Sequence, residues 1–185
     1  MIFLRFFPFL YFSLFFQVAF AVPDVTSQHL GVMTQNIRGI NIEFSEEPTT
    51  YNADAKERVT ITARIIAEAT TLSGTPYKIG GTSPQTGFDC SGFVRYVFHQ
   101  AANITLPANA KNMANVGQII DKHALLPGDL VFFNTLKSTY SHVAIYLGDQ
   151  TFIHAPSVGG VVRVDRMDAA YWARHYEGAR RIAID

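Results

Sequence analysis

Apolar positions change their spacing once along this chain, from helical to alternating, near residue 125. Val59, Ala63, Ile66, Ala67 and Thr70 recur every third or fourth position, which predicts an amphipathic helix over about 53–72. Ser73-Gly74-Thr75-Pro76 stops it. After the glycine-rich run Gly80-Gly81-Thr82-Ser83-Pro84, a second stripe is formed by Cys90, Phe93, Val94, Val97, Phe98 and Ala101. That spacing predicts a helix beginning at Asp89 or Cys90, and a shorter helical stretch is expected between Ala108 and Ile120. Beyond it, β-branched and aromatic runs at 130–133, 142–147, 151–154 and 161–164 are separated by Pro127-Gly128-Asp129, Gly148-Asp149-Gln150 and Gly159-Gly160. Helices first and strands afterwards predict an α+β domain, its N-terminal helices packed on an antiparallel sheet.

Two segments precede that domain. Residues 1–21 carry one charge, Arg5, then an apolar run from Phe6 to Phe16 and the ending Ala19-Phe20-Ala21. Basic start, short apolar stretch and small-x-small ending together read as a secretory signal. The competing reading is a membrane anchor, against which stand Pro8, Gln17 and the Ala-x-Ala ending. Residues 22–52 are polar and weakly patterned and read as an N-terminal extension, leaving 53–185 for the domain. The expected location is therefore periplasmic or secreted, with no stable membrane anchor after signal cleavage.

Composition narrows the function. Of 185 residues, 48% are apolar, enough for a packed core. Fifteen basic residues balance fifteen acidic ones, so no electrostatic footprint for nucleic acid exists. Cys90 is the single cysteine, which excludes an internal disulfide and leaves no cysteine after the signal to carry a lipid.

The thiol is the candidate centre. At the first turn of a helix, unpaired N–H groups and the macrodipole favour thiolate, so its pKa is expected to fall. The alternative is a buried cysteine acting as a small hydrophobe. Histidines favour the reactive reading. By alternation His142, Ala144 and Tyr146 share one face of a strand. A three-residue loop at 148–150 sets Ala144 opposite His154 and makes the two imidazoles diagonal neighbours, whereas a two-residue loop turns His154 to the other face. Small Ala144 between them leaves room for the helix end. Thiol, imidazole and a second polar group are the parts of a cysteine acyl-transfer site. A metal site is the competing use, but one Cys and two His lack paired ligand spacing, and neither metal nor cofactor is expected. Tyr77, with the Cys90 N–H, is a candidate to stabilise an oxyanion. Asp89 reads as the helix N-cap or, with Ser91, as a contact for a cationic or amide group of a substrate. His29, His99, His123 and His175 have no partner pattern and are expected at the surface.

Five motifs then stand in order: Pro76-Tyr77-(x2)-Gly80-Gly81, Gly87-Phe88-Asp89-Cys90-Ser91-Gly92-Phe93-Val94, Leu126-Pro127-Gly128-Asp129-Leu130-Val131-Phe132-Phe133, Ser141-His142-Val143-Ala144-Ile145-Tyr146-Leu147-Gly148 and Phe152-Ile153-His154-Ala155. Together they resemble the NlpC-type papain-like cell-wall cysteine endopeptidases, from about Ala53 to Ile182. The tail from Ala170-Tyr171-Trp172 to Arg180-Arg181 looks most like the MepS branch of the murein endopeptidases. The resemblance implies a papain-like domain and a peptidoglycan hydrolase that cuts amide bonds in stem peptides or cross-links. It places the nucleophile on Cys90, the base on His142, the orienting group on His154 and the oxyanion tyrosine on Tyr77, with Asp89 and Ser91 lining the substrate pocket. Two rival functions are a catalytically silent wall-binding module and the same chemistry on another amide, in a secreted effector or an amidase.

Overall fold

A computed structural model describes residues 34–37, 40–43, 50–157 and 160–184, and the chain divides into two units between Glu47 and Pro48. The signal-like segment and His29 lie outside the described residues. In the first unit β1 (Thr34–Ile37) and β2 (Ile40–Glu43) form an antiparallel hairpin with Ile37 opposite Ile40. The alternation Ile40-Asn41-Ile42-Glu43 after Arg38-Gly39 marks that hairpin in a stretch otherwise read as polar and weakly patterned.

The second unit opens with α1 (Thr50–Thr71). The helix stands where its periodicity places it, yet it buries the opposite stripe. Ile65, Ala69 and Leu72 are buried with Ile61 packed beside them, whereas Val59 is 70% exposed. Both stripes repeat at helical spacing; the buried one carries the larger aliphatic side chains, and their burial decides the rotation. A two-residue ribbon, β3 (Thr82–Ser83) with β4 (Gly87–Phe88), leads into α2 (Cys90–Ala102), which packs along α1. The expected helix over 108–120 is confined to α3 (Ala110–Met113), with Ala114 as its C-cap; Gly117, at φ +80°, then turns the chain into β5 (Gln118–Ile120).

Six antiparallel strands make the sheet, in the order β5-β10-β6-β7-β8-β9. They are β6 (Leu130–Phe133), β7 (His142–Gly148), β8 (Thr151–His154), β9 (Arg163–Arg166) and, after the short α4 (Ala170–His175), β10 (Tyr176–Arg181). β9 begins two residues later than the alternation suggests, because Val161 pairs in an isolated bridge with Pro76. Alternation sorts the strands into two faces. Leu130, Phe132, Val143, Ile145 and Ile153 meet α1 and α2; Val131, Phe133, Ala144, Tyr146 and Phe152 form a second core with Met167 and Trp172.

One ion pair fixes the far end of this sheet. Asp129, 2% exposed, receives Arg181 Nε on Oδ1 at 2.7 Å, Arg181 NH2 on Oδ2 at 2.8 Å and the Leu126 N–H on Oδ2 at 2.8 Å. Asp129→Ala leaves the guanidinium and an N–H without that acceptor. Its expected cost is on the order of 3 kcal/mol, a fall in Tm of roughly 10 °C. Calorimetry checks this; a change under about 1 °C is incompatible with a buried pair that holds β10 to the turn before β6.

Candidate active site

The Cys90 thiol owes its place to a cap and a close approach. Asp89 is the N-cap of α2: its Oδ1 accepts the Gly92 N–H at 2.6 Å and the Ser91 hydroxyl at 3.0 Å, and its Oδ2 accepts the Gly80 N–H at 3.0 Å. The helix start is thereby tied to the glycine-rich loop. A Cβ on Gly92 would sit 2.0 Å from the Gly81 carbonyl oxygen, so only glycine lets loop and helix meet. Ser91 is buried and spends its hydroxyl on Asp89.

The backbone N–H groups of Val143, Ser91 and Cys90 itself lie close enough to the Cys90 sulfur to favour its thiolate. The sulfur therefore lies against β7 one residue from His142. This corrects one expectation: the helix end meets the strand through Val143, whereas Ala144 points into the second core. The expected fall of the thiol pKa is reversed as well. Burial pushes it up and the Asp89 charge adds to that, against the downward pull of the three N–H groups. The resting group is a thiol.

The imidazoles come together by an unexpected route. The loop between β7 and β8 has two residues, Asp149 and Gln150, both at positive φ (49° and 59°). Such a loop alone would turn His154 away. A bulge between Tyr146 and Gly148 adds one residue to β7 and restores the register, with Ile145 opposite Ile153. His142 and His154 thus share a face, and Nε2 of His142 lies 2.8 Å from Nδ1 of His154. Both rings are buried, which pushes their pKa values down to about 3 for His142 and about 4 for His154. They are neutral at pH 7.

Asp165 is the residue that sequence reasoning missed. Its Oδ2 lies 3.0 Å from His154 Nε2 and accepts from Trp172 Nε1 at 3.2 Å and Arg163 NH2 at 3.1 Å. Burial raises its pKa, but hydrogen bonds and charge from Arg163 and His154 hold it below the usual carboxylate range. Trp172 stacks on His142, with centroids 5.7 Å apart and planes at 29°, and meets His154 edge-on at 5.0 Å. Alternation within Arg163-Val164-Asp165 would have found Asp165, had the strand been placed two residues later.

Tyr77, half-buried, is held by its N–H to the Gly160 carbonyl at 2.8 Å. Burial, then the charges of Cys90 and Asp89, raise its phenol pKa, so the hydroxyl is a donor. His99 and His123 are exposed as expected; His175 is half-buried, its Nδ1 2.6 Å from the Tyr171 carbonyl. Among the described residues no group of three His, Cys, Asp or Glu is placed to hold a metal ion. A recess of about 250 Å³ lined by Thr82, Gly92, Arg95 and Tyr96 flanks the start of α2. A larger cavity, about 600 Å³, is lined by α1 and the Leu126–Asp129 turn and by no residue of the thiol site.

Known proteins resemble this chain in sequence and in fold. The chain is 42% identical over 112 residues to the murein DD-endopeptidase MepH of Escherichia coli K12, covering 59% of this chain and 41% of that protein. It is 33% identical over 153 residues to the murein DD-endopeptidase MepS/murein LD-carboxypeptidase of the same organism, covering 83% of this chain and 76% of that protein. The crystal structure of an NlpC/P60 family protein from Bacillus cereus superposes with a TM-score of 0.61 at 34% identity, covering 65% of this chain and 39% of that one. The chain thus spans about two fifths of MepH but three quarters of MepS. The NlpC/P60 family model matches residues 74–181, the stretch from the Tyr77 loop through the thiol helix and all six strands of the main sheet, so this chain belongs to the NlpC/P60 family.

Proposed function

We propose that this protein is an exported cysteine peptidase that hydrolyses amide bonds in the stem peptides or cross-links of peptidoglycan. The observation that carries the reading is a thiol at a helix start, beside the strand residue next to His142, with His142 paired to His154 at 2.8 Å. Similarity to murein endopeptidases supports the substrate class. Export rests on the pattern of residues 1–21.

The chemistry follows from the resting charges. His142, neutral, takes the thiol proton as sulfur attacks the substrate carbonyl. The new oxyanion is held by the Cys90 N–H and the Tyr77 hydroxyl. His142, now imidazolium, gives its proton to the leaving amine, and the C–N bond breaks. Water then attacks the thioester, His142 takes a proton from it, and the carboxylic acid leaves as the thiol re-forms. Neither step needs a cofactor.

Mass spectrometry of products from purified sacculi tests the proposal. Loss of cross-linked muropeptides, or shortening of stems, with free amine and carboxyl ends is expected. Products cut only at the sugar–peptide junction assign the enzyme to the amidases, and intact sacculi with retained binding assign it to the wall binders.

A further inference from the structure

We propose that Asp165 positions the protons of both imidazoles and so leaves Nδ1 of His142 as the bare nitrogen free to act as the base. The inference rests on the hydrolase reading for its use, but not for its geometry. A neutral imidazole has one N–H and one lone pair, so a pair joined by a single hydrogen bond can run in two directions. In one, His142 donates from Nε2 to His154 Nδ1, and His142 Nδ1 is a base. In the other, His154 donates from Nδ1, and His142 Nδ1 already carries the ring's proton and cannot accept one from the thiol. The 2.8 Å contact is the same in both.

Asp165 breaks that symmetry. A carboxylate only accepts, and Oδ2 stands 3.0 Å from His154 Nε2. The hydrogen must therefore sit on Nε2 of His154. Its Nδ1 is then bare and must accept from His142 Nε2, which leaves His142 Nδ1 bare in turn. The reverse direction would point the His154 lone pair at a carboxylate, with neither partner donating. The carboxylate is itself held from every side: Arg163 donates to both oxygens from β9, and Trp172 donates to Oδ2 from α4 while stacking on His142. Strand register explains the fit, since Arg163 lies directly opposite His154 and Asp165 is its diagonal neighbour, opposite Phe152. The same arrangement favours the imidazolium formed during turnover, because its positive charge is one imidazole away from a fixed anion. Asp165 touches no reacting atom; it acts as a positioning residue.

Ring-nitrogen ¹⁵N spectra of the full chain at pH 7 read the tautomers without any turnover. The expected wild-type pattern is Nε2–H with bare Nδ1 on both His142 and His154. Asp165→Ala is expected to move the proton on at least one ring and to lower kcat by about tenfold to a hundredfold, with KM changed by less than about twofold. Asp165→Asn is the rescue: Arg163 and Trp172 keep an oxygen toward His154, so the wild-type tautomers return and part of kcat returns with them. Should Asp165→Ala not fold, the wild-type and Asp165→Asn spectra still decide. A protonated Nδ1 on wild-type His142 overturns the proposal, as do unchanged tautomers and kcat in folded Asp165→Ala. The expected ring pattern in a protein that hydrolyses no wall amide leaves this proposal standing and removes the hydrolase reading instead.

Discussion

Cys90→Ala is expected to release no muropeptides above background from sacculi, with the rate down by at least about 10⁴-fold and the fold intact. The size of the effect follows from what is lost. Without sulfur there is no covalent intermediate, and water must attack the amide directly from a site shaped for an S–C bond. Stability changes little, because the helix cap resides in Asp89 and the close loop contact in Gly92, neither of which involves the sulfur. His142→Ala is expected to cost a loss of the same order, and the double variant no more than either single one, since nucleophile and base act as a unit. Quantitative muropeptide analysis of the three variants, alongside their melting curves, checks both points. Release within about tenfold of wild type by folded Cys90→Ala would exclude the thiol as nucleophile.

The second large effect is on stability in acid. His142 and His154 titrate near 6.5 when unfolded but at about 3 and about 4 when folded, chiefly because burial opposes their charge. Between those values the unfolded chain binds protons that the folded chain refuses, so stability falls as pH drops from about 6.5 toward 4. Below about 3 these two groups contribute no further slope. Two such groups over this window amount to on the order of 5 kcal/mol, a large share of the stability of a typical domain. Urea titrations at pH 7, 5.5 and 4, followed by the fluorescence of the single Trp172 beside both rings, measure it. His154→Gln removes one titrating ring and is expected to flatten the slope by about half. Equal stability at pH 7 and pH 4 would mean that both rings gain protons freely in the folded state.

Local pattern placed most elements of this domain and failed where the competition was between two patterns or two chain segments. α2 is a clear case of success: its stripe from Cys90 to Ala101 is the stripe that is buried. α1 shows the opposite, because two stripes repeat on it and only contact with α2 and the sheet selects Ile65, Ala69 and Leu72. Strands β5 and β10 carry little alternating pattern, since Gln118 and Arg180 lie within them; they exist by pairing with each other and with β6. Asp165 escaped for a related reason, as the start of β9 depends on Val161 being drawn to Pro76, far away in sequence.

The residues by themselves determined the parts: a thiol on a capped helix start, two histidines twelve positions apart on neighbouring strands, and the helix-then-strand order that makes an α+β domain. These are legible because capping and side-chain alternation act over a few residues. Tertiary structure decided how the parts act together. It set the bulge that brings the imidazoles to one face, the burial that keeps the thiol protonated and both rings neutral, and the carboxylate that completes the row. Desolvation, register and long-range pairing depend on which distant segments meet, and that information is absent from any short stretch of chain.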